Sequence, residues 1–295
     1  MVGSNSPYLQ RLTAKEVKKL SGEELMEVFK TAEKSCCSIV YSGALSDDVV
    51  KSTICQTLPV ELSQEPYKTN FNEYQDYDMP IVYLFDMPKT RQTLFFTYDR
   101  LSPLPTLESR IPAIVLNQYF GGGMSSVMFQ EVREFRSMAY STSSVLRSLP
   151  LAKCANLPLG FVTITGTQGD KAMNAISLVD SLLRDMPLIE KNFVSSRQEC
   201  INDISTAFPS FREIGNGIAL LRNLGYTTDP DTGKATMLRN ITMNDMQGFY
   251  ERHLKDHSSH RVIGIIGNKK KLNMKELAKY GRVVIVKEKD LFRKK

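Results

Sequence analysis

The most informative segment of this chain reads Tyr119-Phe-Gly-Gly-Gly-Met-Ser-Ser-Val-Met-Phe-Gln-Glu-Val-Arg-Glu-Phe-Arg-Ser-Met-Ala-Tyr140. Its triple glycine, Gly121 to Gly123, predicts a tight turn with positive φ, and Ser125 and Ser126 offer a hydroxyl cap to the helix that follows. The apolar residues then recur with helical spacing. This periodicity places Arg133 in the last turns of the helix and Tyr140 just beyond it.

The same segment resembles the C-terminal half of the pitrilysin/insulinase family of zinc metallopeptidases. The family pattern is a glycine pair, small hydroxyl residues, an apolar pair, an arginine and, seven residues later, a tyrosine. The matching positions here are Gly122, Gly123, Ser125, Ser126, Met128, Phe129, Arg133 and Tyr140. The resemblance implies that Arg133 and Tyr140 bind substrate, since in that family the arginine and tyrosine reach across a closed chamber to hold the bound peptide.

The chemistry of these two residues suits such a role. A guanidinium donates several hydrogen bonds to a peptide carbonyl, and a phenol hydroxyl can polarise the carbonyl under attack. The alternative is structural, with Arg133 as a cation near the helix C-terminus and Tyr140 as an ordinary strand aromatic. The family pattern favours the substrate-binding roles.

A unit of helix, strand, glycine turn and helix occurs twice in the chain. Each copy starts with a capped amphipathic helix, in which a Ser or Thr is followed three residues later by an acid. The elements of the two copies are predicted at 20–29, 38–43 and 47–57, and at 241–250, 262–267 and 273–279. In the family, similar α+β domains come in tandem and each closes with such a unit. We therefore expect a fragment of a longer polypeptide, with the end of a truncated domain at 1–60, a linker at 61–79 and a complete C-terminal domain at 80–295.

The remaining elements follow from hydrophobic periodicity. Strands are predicted at 81–85, 93–98, 140–147 and 159–166, and helices at 106–120, 124–136, 168–185, 190–206 and 210–224. The first two strands are interpreted as an antiparallel pair joined through residues 87–90. We expect an α+β fold, an antiparallel sheet packed against helices, as in the repeated domains of pitrilysin-like metallopeptidases.

All three histidines lie close together, in His253-Leu-Lys-Asp-His257 and at His260. The first five residues are similar to the inverted zinc motif of the family, His-x-x-Glu-His. However, Asp256 is one methylene shorter than the glutamate of that motif, and too few residues follow for the third ligand. The histidines are therefore assigned to a helix end, where they interact with its dipole. No metal is expected in this chain, and the resemblance puts zinc in the N-terminal half of the full-length protein. An independent metal enzyme that uses the histidines is the alternative.

Composition excludes several other classes of protein. The 295 residues are 42% hydrophobic and 24% charged, as in ordinary globular proteins. The net charge of +6 comes with no alternation of basic and aromatic residues, so no nucleic-acid partner is expected. No apolar stretch is long enough for a membrane span, and we expect a soluble protein of the periplasm or the cytoplasm. The cysteines, whose spacing indicates neither a disulfide framework nor a zinc site, are Cys36, Cys37, Cys55, Cys154 and Cys200.

These observations predict a C-terminal fragment of a pitrilysin-like zinc metallopeptidase. It would bind and position peptide substrate for hydrolysis at the zinc site of the N-terminal half, on the same polypeptide or a partner subunit, and would be inactive alone. A truncated first domain leaves apolar surface at residues 1–60, so self-association is also expected. The alternative is a scaffold subunit with the same fold and no chemistry, like the core subunits of the mitochondrial respiratory complex that resemble these peptidases.

Overall fold

The computed structural model describes residues 1, 6, 9, 11–33, 39–57, 73–147, 156–207, 209–223, 226–255 and 257–291. The fold is α+β, as expected. Its strands are β1 (Ile81–Asp86), β2 (Gln92–Leu101), β3 (Ala139–Arg147), β4 (Leu159–Gln168), β5 (Val262–Gly267) and β6 (Arg282–Val286). Its α-helices are α1 (Ala14–Val17), α2 (Gly22–Glu33), α3 (Asp47–Thr57), α4 (Leu107–Asn117), α5 (Ala172–Arg184), α6 (Glu190–Thr206), α7 (Phe211–Asn223), α8 (Lys234–Asn240), α9 (Met243–Tyr250) and α10 (Met274–Leu277).

Short turns of other helix types extend or follow some of these elements. They are π turns at Gln118–Gly122, Phe129–Glu134 and Glu251–Lys255, and 3-10 turns at His257–Ser259, Lys269–Lys271 and Glu288–Leu291. The predicted helices and strands between residues 81 and 223 are confirmed, each within a few residues of its expected bounds. None of the described helices is both long enough and apolar enough to cross a bilayer.

The six strands form one mixed sheet in the order β3-β4-β2-β5-β1-β6. β1 runs parallel to both β5 and β6, and the other pairs are antiparallel. The antiparallel arrangement expected from the sequence therefore holds for three of the five strand pairs, and the two pairs of β1 are parallel.

The predicted pairing of β1 with β2 was wrong, because β5 lies between them. β1 reads Ile-Val-Tyr-Leu-Phe, an almost continuous apolar run of the kind found in parallel strands with both faces covered, and such a run does not specify which strand pairs with it. The short connection from β1 to β2 passes the C-terminal end of β5. There the Met87 N–H donates to the carbonyl of Gly267, the last residue of β5, at 2.8 Å.

The main core lies between the sheet and the helices. The expected apolar face of α5 is confirmed, since its residues Ala172, Ile176, Val179, Leu182 and Leu183 are all buried. A second, smaller cluster lies apart from this core: Tyr98, Val162 and Val262 pack there with Tyr74, from the segment that precedes β1. Both clusters include sheet residues, so the long central strands are anchored by two sets of apolar contacts.

A buried ionic network joins β5 to β2 and α5. Arg261, which is 2% exposed, donates from Nε to both carboxylate oxygens of Asp99 at 2.9 and 3.1 Å, and from a terminal nitrogen to Asp180 at 3.0 Å. Asp180 also accepts from Arg184 at 2.8 Å. Burial raises the pKa of Asp99, and the guanidinium of Arg261 opposes that shift. Removing one partner would leave an uncompensated buried charge, so the network holds the first residue before β5 in place.

The two repeated units are alike in their capping and differ in their strands. Both predicted caps are confirmed: Ser21 exchanges hydrogen bonds with Glu24 at the start of α2, and Thr242 does the same with Asp245 before α9. The strand predicted at 38–43 is not formed by residues 39–43, and Ser38 lies outside the described residues. Its counterpart β5 is paired on both sides, whereas residues 39–42 run beside α7, where the Ser42 hydroxyl donates to the Phe211 carbonyl at 3.0 Å.

Candidate functional site

The glycine loop comes close to strand β3. A Cβ atom on Gly121 would lie 2.3 Å from the backbone nitrogen of Ser144, a distance that real side chains do not reach. The predicted positive φ was wrong, since φ is −156° at Gly121 and −145° at Gly123. Glycine is therefore needed here for close approach of two backbone segments, not for a left-handed turn.

The helix that follows contains the π turn Phe129–Glu134 and carries Arg133. Its predicted hydroxyl cap is confirmed, because the Ser126 side chain accepts from the Phe129 N–H at 3.3 Å. The widened turn is visible in the Phe135 N–H, which donates to the carbonyl of Gln130, five residues earlier. Such π turns are rare in proteins overall, and those that do occur are often found at functional sites.

Tyr140 is set apart by a bulge in β3. The pairing with β4 passes from Ala139 with Thr167 to Ser141 with Gly166, so Tyr140 is an extra residue between them. A bulge of this kind redirects a side chain. Tyr140 is 83% exposed, although it belongs to a strand whose first residue is buried.

The structure brings Arg133 and Tyr140 together. The guanidinium carbon of Arg133 lies over the Tyr140 ring, 5.2 Å from its centroid, and over the Phe129 ring, 4.7 Å from its centroid. Its Nε lies 3.3 Å from a carboxylate oxygen of Glu134. The two rings and the carboxylate limit the positions that the guanidinium can take, while the Arg133 side chain remains 39% exposed.

An open cavity of about 460 Å³ adjoins this pair. Polar residues dominate its wall, including Arg133, Glu134, Ser137, Tyr140, Gln168 and Lys171. The Lys171 ammonium donates to the Ser137 carbonyl at 3.0 Å. Ser137 has φ of 48° and is the one non-glycine residue with positive φ in the described part of the chain. Strained backbone is concentrated at binding and catalytic sites, and here it lies between the arginine and the tyrosine.

Sequence reasoning missed three contributors to this site. The sequence marks Phe129 only by its place in the family pattern, although an aromatic residue four positions before an arginine is a usable signal for a ring and cation pair. Lys171 comes from a distant strand-to-helix turn, and only the fold brings it to the cavity. Nothing in the sequence indicated the left-handed conformation of Ser137.

The histidines lie elsewhere. The His253 ring stacks on Phe249 with centroids 4.4 Å apart, and burial lowers its pKa. Nδ1 of His260 lies 2.6 Å from the Tyr77 carbonyl oxygen. Within the described residues, no three His, Cys, Asp or Glu side chains are grouped as metal ligands would be, and Asp256 is outside that part of the chain.

Two cysteines are described, and both are free. Cys55 is exposed, whereas Cys200 is buried, and its burial raises the pKa of the thiol to about 12. A thiol of this kind is a packing residue. Cys36, Cys37 and Cys154, which were also interpreted from their spacing, lie outside the described residues.

Comparison with known families gives one match. The sequence profile described as "Peptidase M16 inactive domain" matches residues 21–186, a span that includes the whole glycine loop, Arg133 and Tyr140. The expected relation to a peptidase family is confirmed, as is the expectation that this chain corresponds to the half without the catalytic centre. No curated protein sequence matches the chain.

Solved structures share the fold at low sequence identity. The peptidase M16 inactive domain from Pseudomonas fluorescens is 16% identical with a TM-score of 0.63, and covers 87% of this chain. The periplasmic protease PqqL from Escherichia coli is 17% identical with a TM-score of 0.55 over 77% of the chain, and Complex III2 from Candida albicans is 11% identical with a TM-score of 0.55 over 91%. The chain spans 60%, 25% and 64% of the lengths of these three structures, respectively.

Proposed function

The chain belongs to the family of the peptidase M16 inactive domain, and we propose that it binds and positions peptide substrate for hydrolysis at a zinc site on another part of the enzyme. One observation carries the proposal: a guanidinium lies over an exposed phenol ring, and both side chains line an open cavity. Apolar packing does not require a tyrosine that is 83% exposed. A binding role does require such exposure.

The two side chains offer complementary contacts to a peptide backbone. Arg133 has five N–H donors in a planar fork, of which only the Nε group faces Glu134. Tyr140 has a hydroxyl that can donate to a second carbonyl. Together they can fix two points along an extended peptide, and such positioning is a large part of catalysis when the reacting groups come from elsewhere.

The zinc site is assigned to an N-terminal peptidase half, on the same polypeptide or on a partner subunit. The described residues of this chain do not group into a set of metal ligands, so no bond-breaking step is assigned to them. This chain alone is expected not to hydrolyse peptides. Its contribution is to hold the peptide in one orientation.

Binding of a fluorescein-labelled decapeptide, followed by fluorescence anisotropy, tests the proposal. Arg133→Ala should raise Kd by about tenfold or more, because hydrogen bonds to a charged donor contribute about 1.5–3 kcal/mol. Tyr140→Phe should have a smaller effect in the same direction. The matched control is Arg136→Ala, which removes a neighbouring arginine that pairs with Glu131 and does not line the cavity.

Equal Kd values for the wild type, Arg133→Ala and Tyr140→Phe would reject these roles. In the full-length protein, the same two replacements should lower peptide hydrolysis while the zinc content stays unchanged. Loss of zinc would instead point to a structural effect on the other half.

A scaffold role is the second candidate, and exposed apolar surface favours it. The large apolar side chains that are more than 40% exposed on α2 and α7 are Leu25, Met26, Val28, Phe29, Phe211, Ile214, Ile218 and Leu220. Contiguous apolar surface marks protein contacts, either with a partner subunit or with a second copy of the chain. Sedimentation at high concentration tests self-association, and a monomer throughout would count against it. A scaffold without substrate would show no peptide binding that depends on Arg133.

A further inference from the structure

The cavity beside Arg133 and Tyr140 has an excess of positive charge. Arg133 and Lys171 line it as cations, and Glu134, whose carboxylate faces the guanidinium Nε at 3.3 Å, is the one acid among the described residues of its wall. Gln92 and Gln168 add neutral amides. A ligand group that enters this cavity therefore meets a net positive field and several hydrogen-bond donors.

Lys171 is held in a fixed place relative to the arginine and the tyrosine. It comes from the turn between β4 and α5, and its ammonium donates to the carbonyl of Ser137, in the loop that links Arg133 to Tyr140. An ammonium has three donors, so this single bond leaves capacity for a ligand. Because Lys171 is half-buried and tethered, little side-chain entropy remains to be lost when an anion binds.

The helix α5 begins at the same turn, directly after the exposed acid Asp170. Lys171 is the N-cap of this helix, its side chain makes no capping bond, and the first turn contains no acidic residue. The positive end of the helix dipole is therefore not neutralised by an acid of that turn. Because Asp170 stands directly before this cap, the positive charge of the cavity is assigned to the two cations that line it.

On the basis of the proposed function, we infer that this cavity binds a carboxylate of the peptide, with Lys171 and Arg133 as its cationic partners. Two sources have this chemistry, namely the C-terminal carboxylate of the peptide and the side chain of an Asp or Glu. A planar carboxylate suits the guanidinium fork, and the ammonium of Lys171 supplies a second, point-like charge. The chain thus selects peptides with an Asp or Glu side chain, or with a free C-terminal carboxylate, at the position that enters the cavity.

Four labelled peptides of one sequence separate the two sources. They carry a free or amidated C-terminus, each with Glu or Gln at one internal position, and their Kd values are measured by fluorescence anisotropy with the whole chain. The carboxylate form should bind about tenfold more tightly than its neutral counterpart, and the preference should shrink at high salt. If amidation of the C-terminus weakens binding, the bound carboxylate is the C-terminal one. If replacement of Glu by Gln weakens binding, it is the side-chain carboxylate.

Variants of Lys171 connect the preference to this cavity. Lys171→Gln keeps a donor for the Ser137 carbonyl and removes one of the two charges, so it should reduce the preference severalfold, whereas Lys171→Arg should retain it. Lys191→Gln is the matched control, because Lys191 lines a separate cavity of about 290 Å³. Thermal unfolding of each variant checks that the fold is intact.

The outcomes separate this inference from the proposed function. Equal binding of all four peptides by the wild type, or a preference of unchanged size in Lys171→Gln, overturns the carboxylate site. If Arg133→Ala still weakens every peptide equally, peptide positioning stands without the carboxylate site. If no peptide binds, or if Arg133→Ala changes nothing, both are rejected.

Discussion

The guanidinium carbon of Arg133 lies 4.7 Å from the centroid of the Phe129 ring, four residues earlier on the same helix. Phe129 is half-buried, so its ring is a firmer support than a fully exposed aromatic would be. The contact restrains a long side chain that would otherwise sample many rotamers. In the proposed peptide-binding role of Arg133, Phe129 is therefore a positioning residue that reduces in advance the side-chain entropy lost on binding.

Replacing Phe129 with Ala should weaken peptide binding by about two- to fivefold, since a partly exposed cation and ring contact contributes about 0.5–1 kcal/mol. Phe129→Tyr keeps an aromatic face and should restore the Kd. Anisotropy titrations measure both variants. Phe135→Ala is the control, because Phe135 is 69% exposed and lines the other cavity. If Phe129→Ala and Phe129→Tyr bind alike, the ring does not position the arginine.

Gly121→Ala should destabilise the fold, because its Cβ would come within 2.3 Å of the Ser144 backbone nitrogen. Overpacking of this kind costs about 1–3 kcal/mol. Gly217→Ala, within α7, has no atom within 4 Å of the new Cβ and should stabilise the helix by up to about 1 kcal/mol. Urea unfolding measures both changes. Destabilisation of equal size at both positions would contradict the conclusion that Gly121 is needed for its close approach to Ser144.

Arg261→Met should lower the free energy of unfolding by about 3–5 kcal/mol, because it leaves the carboxylate of Asp99 buried without its partner. Adding Asp99→Leu to this variant should recover a large part of the loss, as apolar groups then replace both charges. Arg184→Met removes an arginine whose side chain is 51% exposed and should cost less than about 1 kcal/mol. A double variant no more stable than Arg261→Met would show that packing alone, and not charge, explains the loss.

Acid should destabilise the fold through His253. Burial lowers the pKa of this histidine in the folded state, with Arg252 and His257 adding to the effect. Between the lowered pKa and the unfolded value near 6.5, the unfolded chain binds more protons, so stability falls as the pH falls through this window. His253→Phe keeps a ring to stack on Phe249 and removes the titration. Its stability loss between pH 7 and pH 5, measured by urea unfolding, should be smaller than that of the wild type, and an equal loss would exclude His253 as a cause.

Local signals explain the parts of the fold that the sequence predicted. A Thr242 and Asp245 capping box and the apolar spacing of α5 act within one or two helical turns, so they can be read from adjacent residues. The insertion of β5 between β1 and β2 depends on pairing between segments far apart in the chain, and local propensity contains no information on it. The Arg261 network is hidden for the same reason, since its three elements meet only in the folded protein.

The candidate site also combines features that the sequence predicts with features that depend on the fold. The Arg133 and Tyr140 spacing was readable from the family resemblance, and the structure brings the two side chains together. The bulge at Tyr140 and the left-handed conformation of Ser137 occur where the end of a helix leads into a strand. No residue type at these positions indicates them. Lys171 required the fold, because the turn that carries it reaches the site across the β3 and β4 pair.

The position of β5 also has a consequence for biosynthesis. When a ribosome has delivered β1 and β2, the strand that belongs between them has not yet been translated, since it begins at Val262. The edges of β1 and β2 that face β5 stay unpaired until Val262–Gly267 has emerged. Late closure of the sheet leaves a long interval in which off-pathway pairing competes, so chaperone demand should be highest just before β5 appears.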